Sequence, residues 1–389
     1  MSDDLKIVVA DRYEQLELYR PFWESHQWHP NTDLDAYVEW CQSQPDVLGP
    51  CVLILERDGS PEAMVLGRIG EQQFRCRLGY LTIGLGQVRQ LSILHGGVLN
   101  CASPDLAALV FSELVHLLKL KKVDVALLNL LSTDSHLFQF VTRSPGFFCR
   151  DHLVSPQRHW KTALPATQAE FLQRLNKKHR YWARRIEKQL EQDFPGQVSL
   201  RSFGPAWSLD QLMNDVEAVA SKTYQRRLGV GFRNDAAEAR RLALAAGRGW
   251  LRAYVLYLSN RPCAFWMGRR YKDVFFSDVT GYDPAYRDYE LGTVVFLRMV
   301  EQLCAERVQA LDFGLGDALY KQRFGDQSWT EAEVRIFSPS LRGRTLNLAR
   351  TSLEGPARRL KSWLGRTRWE QRLKTSWRKR LLQHEKPLK

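Results

Sequence analysis

Residues 311–325 read LDFGLGDALYKQRFG. An apolar run ends in Asp312, and glycines at 314 and 316 loosen the chain. Asp317 follows, and Tyr320 and Lys321 come about one helical turn further on. Carboxylates, a phenol and an ammonium gathered beyond a strand end are the groups that a polar active site uses. Asp312 or Asp317 can take the proton of an attacking hydroxyl or amine. Tyr320 can protonate a leaving thiolate, and Lys321 can pair with a phosphate or with Asp317. The same string is equally consistent with a glycine-rich loop holding a local Asp–Lys pair, and the residues alone leave both readings open.

A second constellation lies just upstream. Residues 273–283 read DVFFSDVTGYD and continue as PAYRDYELGTVVFLRMV. A strand runs into polar residues ending at Tyr282, a loop follows, and Gly292 and Thr293 open a long apolar helix. The first turn of such a helix offers unpaired backbone N–H groups, which suit a phosphate or pyrophosphate. Gly292 lets the backbone approach a ligand closely. An ordinary loop turning into a helix is the competing reading, because Leu–Gly–Thr is no phosphate fingerprint.

The third is a charge run. FLQRLNKKHRYWARRIEKQLEQDF, residues 171–194, carries seven Lys and Arg against three acids. It is either a solvated helix face or the electropositive wall of a cleft for an anionic donor or acceptor; without a known nucleic-acid module, nucleic acid other than tRNA is not expected. His95, followed by Gly96–Gly97, is either a ligand-facing loop residue or a structural histidine. His26, His29 and His152 show no metal-ligand grouping, so a metal centre is not expected.

The elements that must position these groups are mixed α/β. In the N-terminal part, Cys51–Glu56 and Glu62–Ile69 flank an Asp58–Gly59 turn as a hairpin. Gln90–Leu94 forms a strand, a helix runs from Pro104 to Leu120, Val123–Leu130 forms a buried strand, a helix spans Thr133–Val141, and His159–Leu164 forms a last strand. The second part opens with one long helix, Gln168 to Asp193. A strand Gln197–Phe203 and helices Ser208–Thr223 and Asn234–Ala246 follow. Strands Trp250–Leu258, Pro262–Arg269 and Asp273–Thr280 come next, then a helix Leu291–Arg307 and strands Val308–Phe313 and Glu331–Phe337. Two similar mixed units imply a duplicated fold without a literal repeat. The expected boundaries are 1–164, 165–340 and a C-terminal arm, 341–389.

Composition sets the limits. A chain of 389 residues with 44% hydrophobic content exceeds one ordinary core and suits two domains. No stretch reaches the apolar length of a membrane span, and no secretory leader is visible. Seven dispersed cysteines without a CxxC pair point to reduced thiols in a cytoplasmic protein. The formal charge is +13, yet residues 341–389 hold 15 Lys and Arg against 3 Glu, so the body is nearly neutral.

The run Asp312–Phe313–Gly314, Asp317, Tyr320–Lys321 and Phe324 resembles the terminal signature of the GNAT-type acetyltransferase domain associated with bacterial cellulose and other polysaccharide biosynthesis. Phe171–Leu172, Leu175, Lys178, Arg180 and Arg184–Arg185 resemble its opening helix, and Ser277–Leu291 resembles the strand and loop before its acyl-carrier helix. The likeness covers about 165–325. It extends to 1–164 as architecture only, through the related tandem-GNAT peptidoglycan aminoacyltransferases. The resemblance implies tandem GNAT-like units with mixed central sheets, no permanently bound cofactor, and acyl-CoA as co-substrate. It also implies direct transfer in a ternary complex to a hydroxyl or amine of a cell-envelope glycan or lipid-linked precursor. It assigns Asp312, Asp317, Tyr320 and Lys321 to catalysis, and Tyr282, Gly292 and Thr293 to the carrier. Lys178, Arg180, Arg184, Lys222 and Tyr224 fall to the substrate side. In one respect the chain departs from the family: Tyr289–Glu290–Leu291–Gly292 replaces a Ser-Pro-Gly-like approach, which sets a carboxylate beside the expected diphosphate. An aminoacyl-tRNA donor and a non-catalytic scaffold in a glycan-synthesis complex are the alternatives.

The arm plots as a basic amphipathic helix with Trp363 and Trp377 on its apolar side, starting near Gly355–Pro356. Such a helix suits an anionic membrane surface or a membrane synthase. The expected location is therefore cytoplasmic, peripheral on the inner face of the cell membrane.

Overall fold

The computed structural model describes residues 5–78, 81–203, 208–223, 226 and 231–365, without the side chains of 78 and 357–365. The chain divides into two compact units, residues 1–156 with 330–389, and residues 157–329. The units therefore interleave in sequence; they do not follow one another as 1–164 and 165–340.

The first unit orders its strands β1 (Leu5–Ala10), β2 (Val47–Arg57), β3 (Ser60–Leu78), β4 (Leu81–Leu99), β5 (Val125–Ser132) and β12 (Gln327–Phe337). Asp58 and Gly59 adopt φ of 51° and 78°, the left-handed pair that a two-residue hairpin requires, and they set the register Arg57↔Ser60. The short helices α1 (Tyr13–Leu16) and α2 (Arg20–His26) lead into α3 (Leu34–Ser43). Trp23 and Tyr37 from this group pack with Ile54 and Leu66 on one sheet face. On the other face lie α4 (Pro104–Lys119), capped by Ser103 through Leu106 N, and α5 (His136–Arg143), capped by Ser135 through Phe138 N. Leu114, Leu117, Leu137 and Val141 from these helices close over Leu53, Leu91 and Leu128.

In the second unit the order is β6 (Gln157–Ala163), β11 (Ala310–Leu315), β10 (Val274–Tyr282), β9 (Arg261–Tyr271), β8 (Leu251–Leu258) and β7 (Val198–Phe203). α6 (Gln168–Arg174), α7 (Lys177–Asp193) and α10 (Leu291–Ala305) cover one face, where Phe171, Leu190, Phe275, Phe296 and Val300 are buried. α8 (Leu209–Ala220) and α9 (Ala236–Gly247) cover the other through Val216, Leu242, Val255 and Met267. α11 (Leu319–Phe324) follows β11.

Each unit runs three antiparallel strands, a helix, a parallel strand and a short helix. The strand that follows is then exchanged. β6, which follows the first unit's α5, pairs antiparallel with β11 of the second. β12, which follows the second unit's α11, pairs antiparallel with β5 of the first.

Two elements differ from the expectation. The long helix 168–193 is broken: Leu175 is extended, and the Asn176 side chain caps a fresh helix by accepting from His179 N at 2.9 Å. The C-terminal helix, α12 (Leu341–Gly365), starts fourteen residues before Gly355 and runs through Pro356. Its first turns belong to the first unit. Leu346 is buried with Phe74, Val88 and Phe337. Arg350 is buried and donates to Asp151 Oδ1 at 2.7 Å, and Asn347 donates to the carbonyls of Phe148 and Arg150. Trp377 and the rest of 366–389 lie outside the described residues, as does the Trp363 side chain. Among the described residues no helix is long and apolar enough to cross a membrane.

Candidate functional site

The site of the second unit is made by a strand pair that separates. β10 and β11 pair in parallel only over Val274↔Ala310, Phe275↔Leu311 and Phe276↔Asp312. Beyond that, β10 stays with β9 and β11 stays with β6, each through an irregularity at the same level, Ser277/Val279 and Asp312/Gly314. A bulge bends its strand and breaks the ladder, so a wedge opens between two parallel strands and leaves polar backbone facing it. Gly268 on β9 makes room for the bend: a Cβ there would lie 2.1 Å from the Phe276 carbonyl oxygen.

Aromatic groups line the wedge. Trp266 donates its indole N–H to Ser277 Oγ at 2.9 Å and meets Tyr320 edge-on at 5.4 Å, and Tyr320 lies 6.0 Å from the Phe313 ring. Tyr320 is half-buried at this lining, and Asp317 is exposed beyond it, accepting from Trp160 Nε1 at 3.2 Å. The other two residues of the motif turn inward. Asp312 is buried and accepts from His159 Nε2 at 2.6 Å and from Gly314 N at 2.8 Å. Lys321 does not reach for Asp317. Its ammonium is buried and donates to the carbonyls of Phe313, Gly314 and Leu315, which the positive φ of Gly314 and Gly316 leaves turned toward it. Burial lowers the Lys321 pKa to about 8, against the opposing pull of the Asp312 charge.

The helix beyond the wedge begins without a side-chain cap. Glu290 stands at its N-cap in the left-handed conformation, φ 47° and ψ 43°, and its carbonyl accepts from Thr293 N at 2.7 Å. The Glu290 carboxylate accepts from the Trp182 indole of α7 at 3.0 Å. The Tyr282 ring lies against Gly292, where a Cβ would be 3.4 Å from Tyr282 Cδ1. Lys222 pairs at 2.7 Å with Asp283, the residue after Tyr282. Tyr282, Gly292, Thr293 and Lys222 thus share one end of β10 and α10. Tyr224 lies outside the described residues.

α7 supplies the charge beside this end. Lys178 and Arg184 are exposed, as are Lys177, Arg185 and Lys188. Arg180 is used structurally, donating to the Gln173 carbonyl across the break between α6 and α7. Trp182, already bonded to Glu290, takes the Arg323 guanidinium over its ring at 4.2 Å. Arg298 of α10 ties the two helices by ion pairs to Glu187 and Glu191.

Sequence reasoning overlooked His159 and Trp182. His159 stacks on Trp329 at 4.3 Å and meets Asp312 from 153 residues away, a contact made by the exchanged strand β6. Trp182 had a usable signal, a lone indole inside a basic helix. In the first unit, the equivalent parallel pair β4/β5 ends at Ile93↔Leu128. His95 sits just past that point, 3.6 Å from Glu331 Oε2 and 4.5 Å from the His29 ring.

The fold that carries this wedge is similar to that of known proteins. The model of the acetyltransferase (GNAT) domain family matches residues 177–322. The crystal structure of FemX superposes with a TM-score of 0.55 at 9% identity, covering 85% of this chain and 97% of that one. A tandem GNAT protein from the clavulanic acid biosynthesis pathway, solved without AcCoA, superposes with a TM-score of 0.51 at 10% identity, covering 87% and 99%. At such identities the likeness is one of fold. No curated protein matches the chain.

Proposed function

For a chain that carries a GNAT-superfamily domain in a mixed α/β, tandem GNAT-like fold, we propose an acyl-group transferase whose donor is an aminoacyl-tRNA and whose acceptor is an amine or hydroxyl of a cell-envelope glycan or lipid-linked precursor. One observation carries the choice of donor. The Glu290 carboxylate, held by Trp182, occupies the edge of the helix end where a nucleotide diphosphate would rest, while exposed Lys178 and Arg184 stand on the adjoining helix. A diphosphate is repelled there, whereas an extended polyanion can lie along α7 and deliver only its aminoacyl end to the wedge.

In this reading the acceptor nucleophile attacks the ester carbonyl in the wedge. Asp317, the exposed carboxylate of the motif, takes its proton. Backbone N–H groups freed by the bulges hold the developing oxyanion. Tyr320 protonates the departing ribose oxygen as the tetrahedral centre collapses. Asp312 and Lys321 act as positioning residues that fix the β11 end.

A second reading, acyl-CoA as donor, draws support from the close fit of Tyr282 on Gly292 and from the wedge itself. Filter binding of bulk tRNA and calorimetry with acetyl-CoA separate the two. The expected result is salt-sensitive tRNA retention that falls about tenfold or more in the K178E/R184E variant. Acetyl-CoA binding without tRNA retention would overturn the proposal in favour of the second reading. The proposed place of action is the cytoplasmic face of a membrane.

A further inference from the structure

We propose that the first unit carries a lipid-docking surface, formed by the Phe147–Phe148 turn and the exposed side of α12, that seats on an anionic membrane. It uses none of the residues assigned to transfer, so it stands or falls separately from the donor reading.

Exposed apolar side chains scattered singly need no explanation; a gathered set does. Phe147 and Phe148 are 64% and 53% exposed, and Leu341 and Leu348 are 82% and 60% exposed. The two phenylalanines sit at the tip of a turn after α5, edge-to-face at 5.4 Å. The turn is built, not loose. His152 packs on Phe147 at 4.6 Å and bonds its carbonyl at 2.8 Å, and Cys149 N donates to the Gly146 carbonyl at 2.9 Å. It is also fixed to α12, because Asn347 donates to the Phe148 carbonyl at 2.9 Å. Leu348 is the next residue. Leu341, Arg344, Thr345 and Leu348 are spaced as one helix face, and all four are exposed. Arg344 lies on this exposed face, one helical turn before Leu348.

Charge decides the occupant. Rigid aromatic tips flanked by arginine are the composition that enters the headgroup boundary of an anionic bilayer. The composition of the C-terminal segment has the same sign: residues 355–389 hold 12 Lys and Arg against 2 Glu. A second copy of the chain would bring the same positive charge against itself.

The test is co-sedimentation of the full-length protein with phosphatidylcholine vesicles, with and without phosphatidylglycerol. Binding is expected only with the anionic lipid. F147S/F148S should lose at least about tenfold in partitioning, since two phenyl rings no longer leave water. L341S/L348S, on the helix, should lose a similar share, which keeps the test decisive if the turn variant fails to fold. Failure of the wild type to bind the anionic vesicles overturns the proposal, as does unchanged partitioning of the folded variants. A wild type that dimerises in ultracentrifugation beside a monomeric F147S/F148S also overturns it, by giving the patch to a second copy.

Discussion

Glu290→Gln isolates the charge on which the donor assignment turns. The amide oxygen of the substituted side chain can still accept from the Trp182 indole, so the 3.0 Å bond between α7 and the start of α10 survives. The left-handed backbone at 290 is no worse for glutamine than for glutamate. What changes is one negative charge at the helix end. A unit charge about 6 Å away at an effective dielectric of ~40 interacts by roughly 1.4 kcal/mol. Glu290 is exposed, so salt and water halve this to about 0.7 kcal/mol. A diphosphate brings two such charges, about 1.4 kcal/mol in all, or about tenfold in Kd. The E290Q variant should therefore bind coenzyme A about tenfold more tightly than the wild type, while its tRNA affinity changes by no more than about threefold. Isothermal titration with coenzyme A and filter binding with tRNA at one ionic strength measure both. An unchanged coenzyme A affinity refutes the placement of a diphosphate at this helix end. A wild type that already binds acyl-CoA tightly removes the reason for preferring tRNA.

Four further outcomes follow from the geometry. In a double-mutant cycle of H159A and D312N, read by urea unfolding, the buried 2.6 Å contact should give a coupling of about 1.5–3 kcal/mol; independent effects would show that the exchanged strand is not fastened there. G268A should destabilise by about 2–4 kcal/mol, because the new methyl would sit 2.1 Å from the Phe276 carbonyl oxygen, and a neutral variant would refute the packed bulge. The Lys321 pKa lies at about 8 in the fold against an ordinary 10.5, so the unfolded chain binds more protons between those values. The stability contributed by this residue therefore rises with pH across that window, by up to about 3 kcal/mol relative to K321M, and a flat difference would contradict the burial. Ending the chain at Ser340 should cost about 5 kcal/mol or more, because Asp151 stays buried without Arg350 and the Leu346 pocket empties. A truncated chain that keeps the unfolding midpoint of the full chain would sink the account of α12.

Local signals were legible in the sequence. The Asp58–Gly59 hairpin, the helix that starts at Pro104 and the strand–loop–helix from Val274 to Ala305 stand where patterning placed them. The long β3/β4 hairpin was missed although Phe74 and Cys76 are buried between exposed Gln73, Arg75 and Arg77, an alternation of period two. The break at Leu175–Asn176 was hidden because the charge run continues across it, while the signal lay in one capping asparagine. The exchange of β6 and β12 had no local trace. It depends on which sheet edge each strand finds, and His159 meets Asp312 only as a consequence. The basic arm was read from composition as one piece, yet Leu346, Asn347 and Arg350 bind its beginning into the first unit.

Duplication alone would predict two equivalent sites, and the caps argue against equivalence. In the first unit the helix after the separated strands, α4, starts with Ser103, whose hydroxyl accepts from Leu106 N, and with Pro104, which has no N–H to offer. Its first turn is closed by its own sequence. In the second unit α10 starts at Glu290 with no side-chain cap, and glycine at 292 leaves the backbone open to approach. A left-handed glutamate at such a position costs about 1 kcal/mol relative to glycine. That strain sits beside the wedge, next to the basic helix, at the end of the strand that carries Tyr282. Backbone strain of this kind persists where surrounding contacts over-determine it, and here the Trp182 bond supplies the determination. The two copies share a plan, but only the second leaves its helix end unclosed. On the proposed reading the donor therefore belongs to the second unit, and Glu290 is the residue whose charge would select between the two donors.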